Sequence, residues 1–340
     1  MPKSKCFSFT ASRNWCLKST FANSGLRPVS TDLGDGTVMN CWVPRVRNPT
    51  RPDVVLIHGF GANAMWQFCE TVPFLAPHFN VYVPDLVFFG DSFTTRPDRS
   101  ESFQARCVKR VVEANSVGRI AAVVGLSYGG FVAYSMAAQY GEEWVGRVVI
   151  CCAGVCLEER DLKEGLFPVA DVEDAAAILL PQTAEKMREL VGYTFVKPPR
   201  GLPSCLLEDF IDEMCNEYVE EKKELLRAIS KDRKLSDLPK ISQPTLIVWG
   251  DQDRIFPIEL AYRLKRSTGL PKKENWSIFN RDSEYQTYWV IKEAYWHESV
   301  LTDSFGLPYG RGMALLVHRY WFLTEPNRTM IKHMDFEHRL

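Results

Sequence analysis

A chain of 340 residues with 46% hydrophobic content can bury a large core, either as one big domain or as a domain that carries an insertion. Its formal net charge of −1 excludes a global attraction to nucleic acid or to an anionic membrane, and no apolar run reaches the ~18 residues that a membrane span needs. The ten cysteines are scattered without a CxxC pair, and Cys151 and Cys152 fall inside the apolar run VVICCAG; reduced thiols are expected, neither a disulfide framework nor a metal site.

Residues 1–31 carry five Lys and Arg, no Asp or Glu, and many Ser and Thr. This segment of uncertain order leaves two readings open: an organelle transit peptide, or an amphipathic segment that packs on the domain or touches a membrane surface. Strand and helix patterns then alternate. Segments 38–43, 53–57 (DVVLI), 81–83, 121–124, 148–152 and 245–249 (TLIVW) have the apolar, β-branched character of strands, whereas 64–75, 104–114 and 131–140 have that of helices. Continuous apolar strands in βαβ rhythm predict an α/β fold with a mostly parallel sheet flanked by helices, and catalysis at the carboxyl ends of the strands.

The rhythm breaks over 157–239, which is acidic, has helical patterns at 171–180, 183–191 and 206–229, and contains the turn-rich KPPRGLP. It is read as a helical cap inserted after the sixth core strand, between core portions 32–156 and 240–310. Residues 311–340 are read as a C-terminal helix and tail.

The candidate nucleophile lies in Gly125-Leu126-Ser127-Tyr128-Gly129, between an apolar β-run and a helical one. In a G-x-S-x-G turn of this kind, glycines two positions to either side of the serine let strand and helix approach, and the strained serine is pushed out above the sheet. Donors for an oxyanion are offered by the loop after 54–57, His58-Gly59-Phe60-Gly61, with the N–H groups of Phe60 and Tyr128 as the expected pair. His58 is expected to fix this loop by hydrogen bonds, with Gly59 beside it. Met65, Trp66, Phe68, Phe88 and Phe89 are available to wall an acyl pocket.

Four ordered stretches, VVLIHGFGANAMWQF (54–68), VYVPDLVFFGDS (81–92), VVGLSYGGFVA (123–133) and TLIVWGDQDRIFP (245–257), make the chain resemble the α/β-hydrolases, in particular their capped serine lipase and esterase branch, which includes monoacylglycerol lipases. The resemblance implies the α/β-hydrolase fold and places the triad carboxylate at Asp253, with Asp251 as its rival. It also implies a histidine soon after the last core strand, where this sequence departs from the pattern: 275–286 (NWSIFNRDSEYQ) holds none. His297, after the β-rich stretch 287–291, is the candidate base; His78, His318, His333 and His338 fit less well. If 276–279 is instead the last strand, His297 returns only by a long loop.

These residues imply hydrolysis of carboxylic esters of apolar acyl groups through an acyl-enzyme, and the resemblance implies monoacylglycerol among them. The alternative is a hydrolase-fold ligand receptor or a pseudoenzyme with an incomplete triad. No cofactor, metal or nucleic-acid partner is implied; the partner is a small apolar ester, with peripheral membrane contact through residues 1–31 or the cap left open. A cytoplasmic location is expected, with a membrane-associated or organellar one, through 1–31, as the alternative.

Overall fold

The computed structural model describes residues 8–195, 198–199, 201–267 and 276–279. Among the described residues, nine strands form one sheet: β1 (Leu26–Asp32), β2 (Thr37–Pro44), β3 (Asp53–Ile57), β4 (Asn80–Pro84), β5 (Phe93–Thr94), β6 (Ala122–Leu126), β7 (Val148–Cys151), β8 (Thr245–Gly250) and β9 (Trp276–Phe279). Their order is β1-β2-β4-β3-β6-β7-β8-β9, with the two-residue β5 paired to β2. Antiparallel pairing joins β1 to β2 and β2 to β4; from β4 to β9 every pair is parallel. All residues of β3, β6, β7 and β8 are buried, which explains why these strands read as unbroken apolar runs.

The strand order reverses between β3 and β6. Connections from their carboxyl ends therefore diverge and leave a crevice, the usual ligand position in an open α/β sheet.

Helix α1 (Phe9–Asn23) starts at Ser8, whose side chain accepts the Ala11 N–H, and buries Leu17 and Phe21, the latter ring edge-on to Trp42 at 5.0 Å. β1 then pairs along the length of β2, so the boundary drawn at 31 falls inside a strand. The helix expected over 64–75 is two: α2 (Ala64–Phe68), capped by the Asn63 side chain, and α3 (Val72–Leu75), which has Pro73 in its first turn. Helices α4 (Glu101–Ala114) and α5 (Tyr128–Trp144) pack on each other, and α11 (Ile258–Ser267) packs on β8.

Between β7 and β8 lie α6 (Glu159–Lys163), α7 (Val172–Leu179), α8 (Ala184–Thr194), α9 (Ser204–Met214) and α10 (Val219–Ser230). The single helix expected over 206–229 is thus α9 plus α10, because Tyr218 adopts a left-handed φ of 52° and turns the chain. Ile178, Met187, Leu190, Leu207 and Ile211 give this insert a small core of its own. Ion pairs tie it to the sheet domain, among them Arg99–Glu224 and Arg233–Glu101, both at 2.6 Å. Asp209 on α9 accepts the Thr10 N–H at 2.8 Å and the Ser8 hydroxyl at 3.1 Å, so α1 is bound to both parts.

The strand that extends the sheet beyond β8 is β9, with Gly250 opposite Phe279. This is the alternative named for the end of the sheet; 287–291, the expected final strand, lies outside the described residues, as does 311–340. The nine cysteines described are all free, and six of them are buried.

Candidate active site

Ser127 occupies the joint between β6 and α5 with φ 53° and ψ −121°, a conformation unfavourable for any residue with a Cβ. Its N–H donates to Cys151 O at 2.9 Å, and its carbonyl accepts Gly130 N–H at 2.8 Å, so both backbone groups are pinned. A Cβ at Gly125 would lie 2.3 Å from Gly129 O, and one at Gly129 would lie 2.2 Å from Ile57 O. Strand, turn and helix can therefore meet only where these two positions are bare. The Ser127 hydroxyl is partly exposed and has no hydrogen-bond partner among the described residues.

The loop after β3 lies directly against this serine: a Cβ on Gly59 would come within 3.2 Å of Ser127 Oγ. His58 is fully buried. Its Nε2 accepts the Leu86 N–H at 2.9 Å, which leaves the proton on Nδ1 to be donated to Gly59 O at 2.8 Å. Burial lowers the His58 pKa to about 4, so the ring is neutral near pH 7, with both nitrogens occupied. Holding Gly59 O on one side turns the N–H of the same planar peptide, that of Phe60, to the other. Tyr128 is the first residue of α5, so its N–H has no acceptor within the helix. Neither the Phe60 nor the Tyr128 N–H has an acceptor among the described residues, and their rings pack edge-on at 4.9 Å.

Gln67, which sequence reasoning missed, braces the same loop from α2: its Oε1 accepts Gly59 N–H at 2.8 Å, and its Nε2 donates to Phe60 O at 3.0 Å. No local pattern marks this residue, because its role depends on a chain reversal across the loop.

Asp253 follows β8, and its Oδ1 accepts the N–H groups of Ile255 at 2.8 Å and Phe256 at 2.9 Å. Burial raises its pKa to about 6, against these two hydrogen bonds and one from the Cys152 thiol. Cys152, also missed, sits at the carboxyl end of β7 with φ 46°, and its N–H donates to Val248 O at 2.9 Å. Ser127, Cys152 and Asp253 thus lie at the carboxyl edges of the adjacent strands β6, β7 and β8. Asp251 makes no hydrogen bond or ion pair among the described residues. His78 is exposed just before β4, at the opposite end of the sheet. His297, His318, His333 and His338 lie outside the described residues.

Of the residues expected to wall an acyl pocket, Phe68 is fully buried in the core and Trp66 packs on Phe210 while donating to Asn14. Met65, Phe88 and Phe89 line a mixed, charged cavity. The apolar cavity is elsewhere, about 100 Å³ between the insert and the loop after Asp253, lined by Phe167, Ile178, Leu226, Ile255 and Phe256.

The strand order and the tight Gly125–Gly129 turn between β6 and α5 together define the α/β-hydrolase fold, and the family profile described as alpha/beta hydrolase fold matches residues 52–198. The chain is similar in sequence to monoacylglycerol lipases and to a bacterial lipase. It is 27% identical over 242 residues to monoacylglycerol lipase ABHD6 of Homo sapiens, covering 67% of this chain and 69% of the relative. Lipase 3 of Moraxella sp. is 28% identical over 230 residues, covering 64% and 68%. An esterase from Exiguobacterium antarcticum superposes with a TM-score of 0.63 at 18% identity, covering 82% of this chain and 99% of that one. Among the described residues, no helix is long and apolar enough to cross a membrane.

Proposed function

We propose that the protein is a serine hydrolase that cleaves carboxylic esters of apolar acyl groups. The observation that carries this reading is Ser127, held at φ 53° with its free hydroxyl against an oxyanion loop whose peptide plane is fixed by His58. His297 takes the Ser127 proton, the alkoxide attacks the ester carbonyl, and the oxyanion rests on the Phe60 and Tyr128 N–H groups. The imidazolium, stabilised by Asp253, protonates the leaving alcohol; water activated by the same histidine then releases the acid and frees Ser127. The apolar cavity beside Asp253 supports an apolar acyl group, and the insert above it acts as a cap. Relatives that are monoacylglycerol lipases favour a monoacylglycerol as substrate.

A fluorophosphonate probe tests the nucleophile. Rapid labelling of the full chain, lost in Ser127→Ala together with a ~10⁶-fold fall in turnover of a p-nitrophenyl ester, is expected. Retention of more than a few per cent of the activity in that variant would refute the assignment. His297→Gln should be as damaging as Ser127→Ala, and His318→Gln should do little.

One observation favours a second reading. β9 ends at Phe279, and the sequence holds no histidine between it and His297, which lies outside the described residues. An unlabelled Ser127 in a folded protein that still binds monoacylglycerol would identify a receptor or pseudoenzyme.

A further inference from the structure

Behind the oxyanion loop lies a second cavity, of about 590 Å³, bounded by α1, β2, the loop 85–91 and the α9–α10 region. Its volume is in the range of small-molecule sites. Ser127, Phe60 and Tyr128 do not line it; the Phe89 ring, edge-on to Phe60 at 5.1 Å and to His58 at 5.0 Å, forms the partition.

Two ionisable groups on the cavity wall have no ion-pair partner among the described residues. Lys222 on α10 is only 4% exposed, and its ammonium stands 5.1 Å from the centroid of the Phe89 ring, with no carboxylate or other acceptor in reach among the described residues. Burial pulls its pKa below the ordinary lysine value. Asp85, after β4, is 6% exposed; its Oδ1 accepts Ala64 N–H at 2.8 Å, while Oδ2 has no hydrogen-bond partner among the described residues. A Cβ on Gly90 would lie 2.6 Å from that Oδ2, so the glycine keeps the carboxyl uncovered on that side. Buried charges are ordinarily paired, and these two do not pair with each other. Asp91, Glu213 and Glu217, all exposed, add acidic groups around the opening and outnumber its one exposed base, Lys18 on α1.

A simple anion would meet Lys222 but also the acidic rim, and a simple cation would meet the rim but also Lys222. A ligand that carries both charges satisfies both poles. We propose that this cavity binds a zwitterionic headgroup, a phosphate ester seated on Lys222 with its ammonium turned to Asp85 and the acidic rim. The headgroup could belong to a free metabolite or to a lipid, and the two sources are separated by experiment.

Isothermal titration of the full chain with glycerophosphoethanolamine should give saturable binding, weakened at least tenfold in Lys222→Gln and in Asp85→Asn and unchanged in Ser127→Ala. In the unmodified protein, glycerol 3-phosphate and ethanolamine offered separately should each bind at least tenfold more weakly, a comparison that needs no variant to fold. Cosedimentation with phosphatidylethanolamine vesicles that is lost in Lys222→Gln assigns the headgroup to a lipid; binding of the soluble compound alone assigns it to a free metabolite. Equal affinity for glycerol 3-phosphate alone, unchanged binding in Lys222→Gln, or no binding of either source at millimolar concentration would overturn the proposal. The Ser127→Ala arm keeps this outcome separate from the fate of the hydrolase reading.

Discussion

At Gly129 the space for a side chain is closed by backbone, not by movable side chains: a Cβ would meet Ile57 O at 2.2 Å and His58 O at 2.6 Å. Gly129→Ala must therefore push β3 away from α5, and a cost of ~1–3 kcal/mol is expected, together with loss of Ser127 labelling because the loop after β3 moves with it. A melting curve and a probe assay on one preparation check both effects; unchanged values in each would show that the turn is more yielding than its geometry implies. This constraint is also why the turn could be read from sequence. Gly125, Ser127 and Gly129 fall within five consecutive residues, so their pattern is visible in the sequence even though the atoms that close Gly129 come from Ile57 and His58. Gln67 and Cys152 answer to groups brought near only by the finished fold, so nothing beside them in the chain marks their roles.

Among the elements, α1 and β1 were the least legible. β1 (LRPVSTD) fully buries only Leu26 and contains Pro28, which an edge strand tolerates, so it lacks the apolar run that marks β3 or β6. α1 is rich in Ser and Thr, and its inward face amounts to Thr10, Leu17 and Phe21. Phe21 is 0% exposed, so Phe21→Ala should destabilise the protein by ~3–5 kcal/mol, visible as a lowered melting temperature. If residues 1–31 were a leader that the folded protein can do without, the substitution would leave the melting temperature where it was. A similar argument reaches the insert. Ala175 on α7 lines the apolar cavity, and Ala175→Phe fills it. Turnover of a long-chain monoacylglycerol should then fall by about tenfold or more while an acetate ester is spared, on the scale of ~1–3 kcal/mol per group misfitted in an apolar pocket. Equal loss for both esters would separate the cavity from acyl binding.

Over the whole molecule, buried titrating groups set opposing trends with pH. Burial raises the pKa of Asp85 to about 7 and that of Asp253 to about 6, from 3.8. The folded state therefore holds protons that the unfolded chain has released, and this contribution to stability, full below pH ~4, is lost as pH rises through 6 and 7. His58 acts the other way: lowered to about 4 from 6.5, it favours the folded state above pH 6.5 and loses that contribution as pH falls toward 4. Asp85→Asn keeps an acceptor for the Ala64 N–H and removes the titration. It should raise stability at pH 8 by an amount on the order of a few kcal/mol and change little at pH 4.5. Thermal scans at the two pH values test this, and a loss of stability at pH 8 would show that the ionised carboxylate is well solvated in its cavity. Fold class followed from the alternation of buried strands. The placing of Lys222 and Asp85 on the wall of one cavity did not, since only the insert's return to the sheet brings them there.

The hydrogen bond from Ser8 to Asp209 spans 201 positions of sequence. At synthesis rates of ~5–20 residues per second, its donor waits roughly ten to forty seconds on the ribosome before its acceptor has been made. Phe21 can meet Trp42 almost at once, so the two ends of α1 mature on different clocks. The first of the described helices to be made is therefore among the last of them to be fully seated, and until α9 arrives its leading turn is open to whatever factor attends the emerging chain.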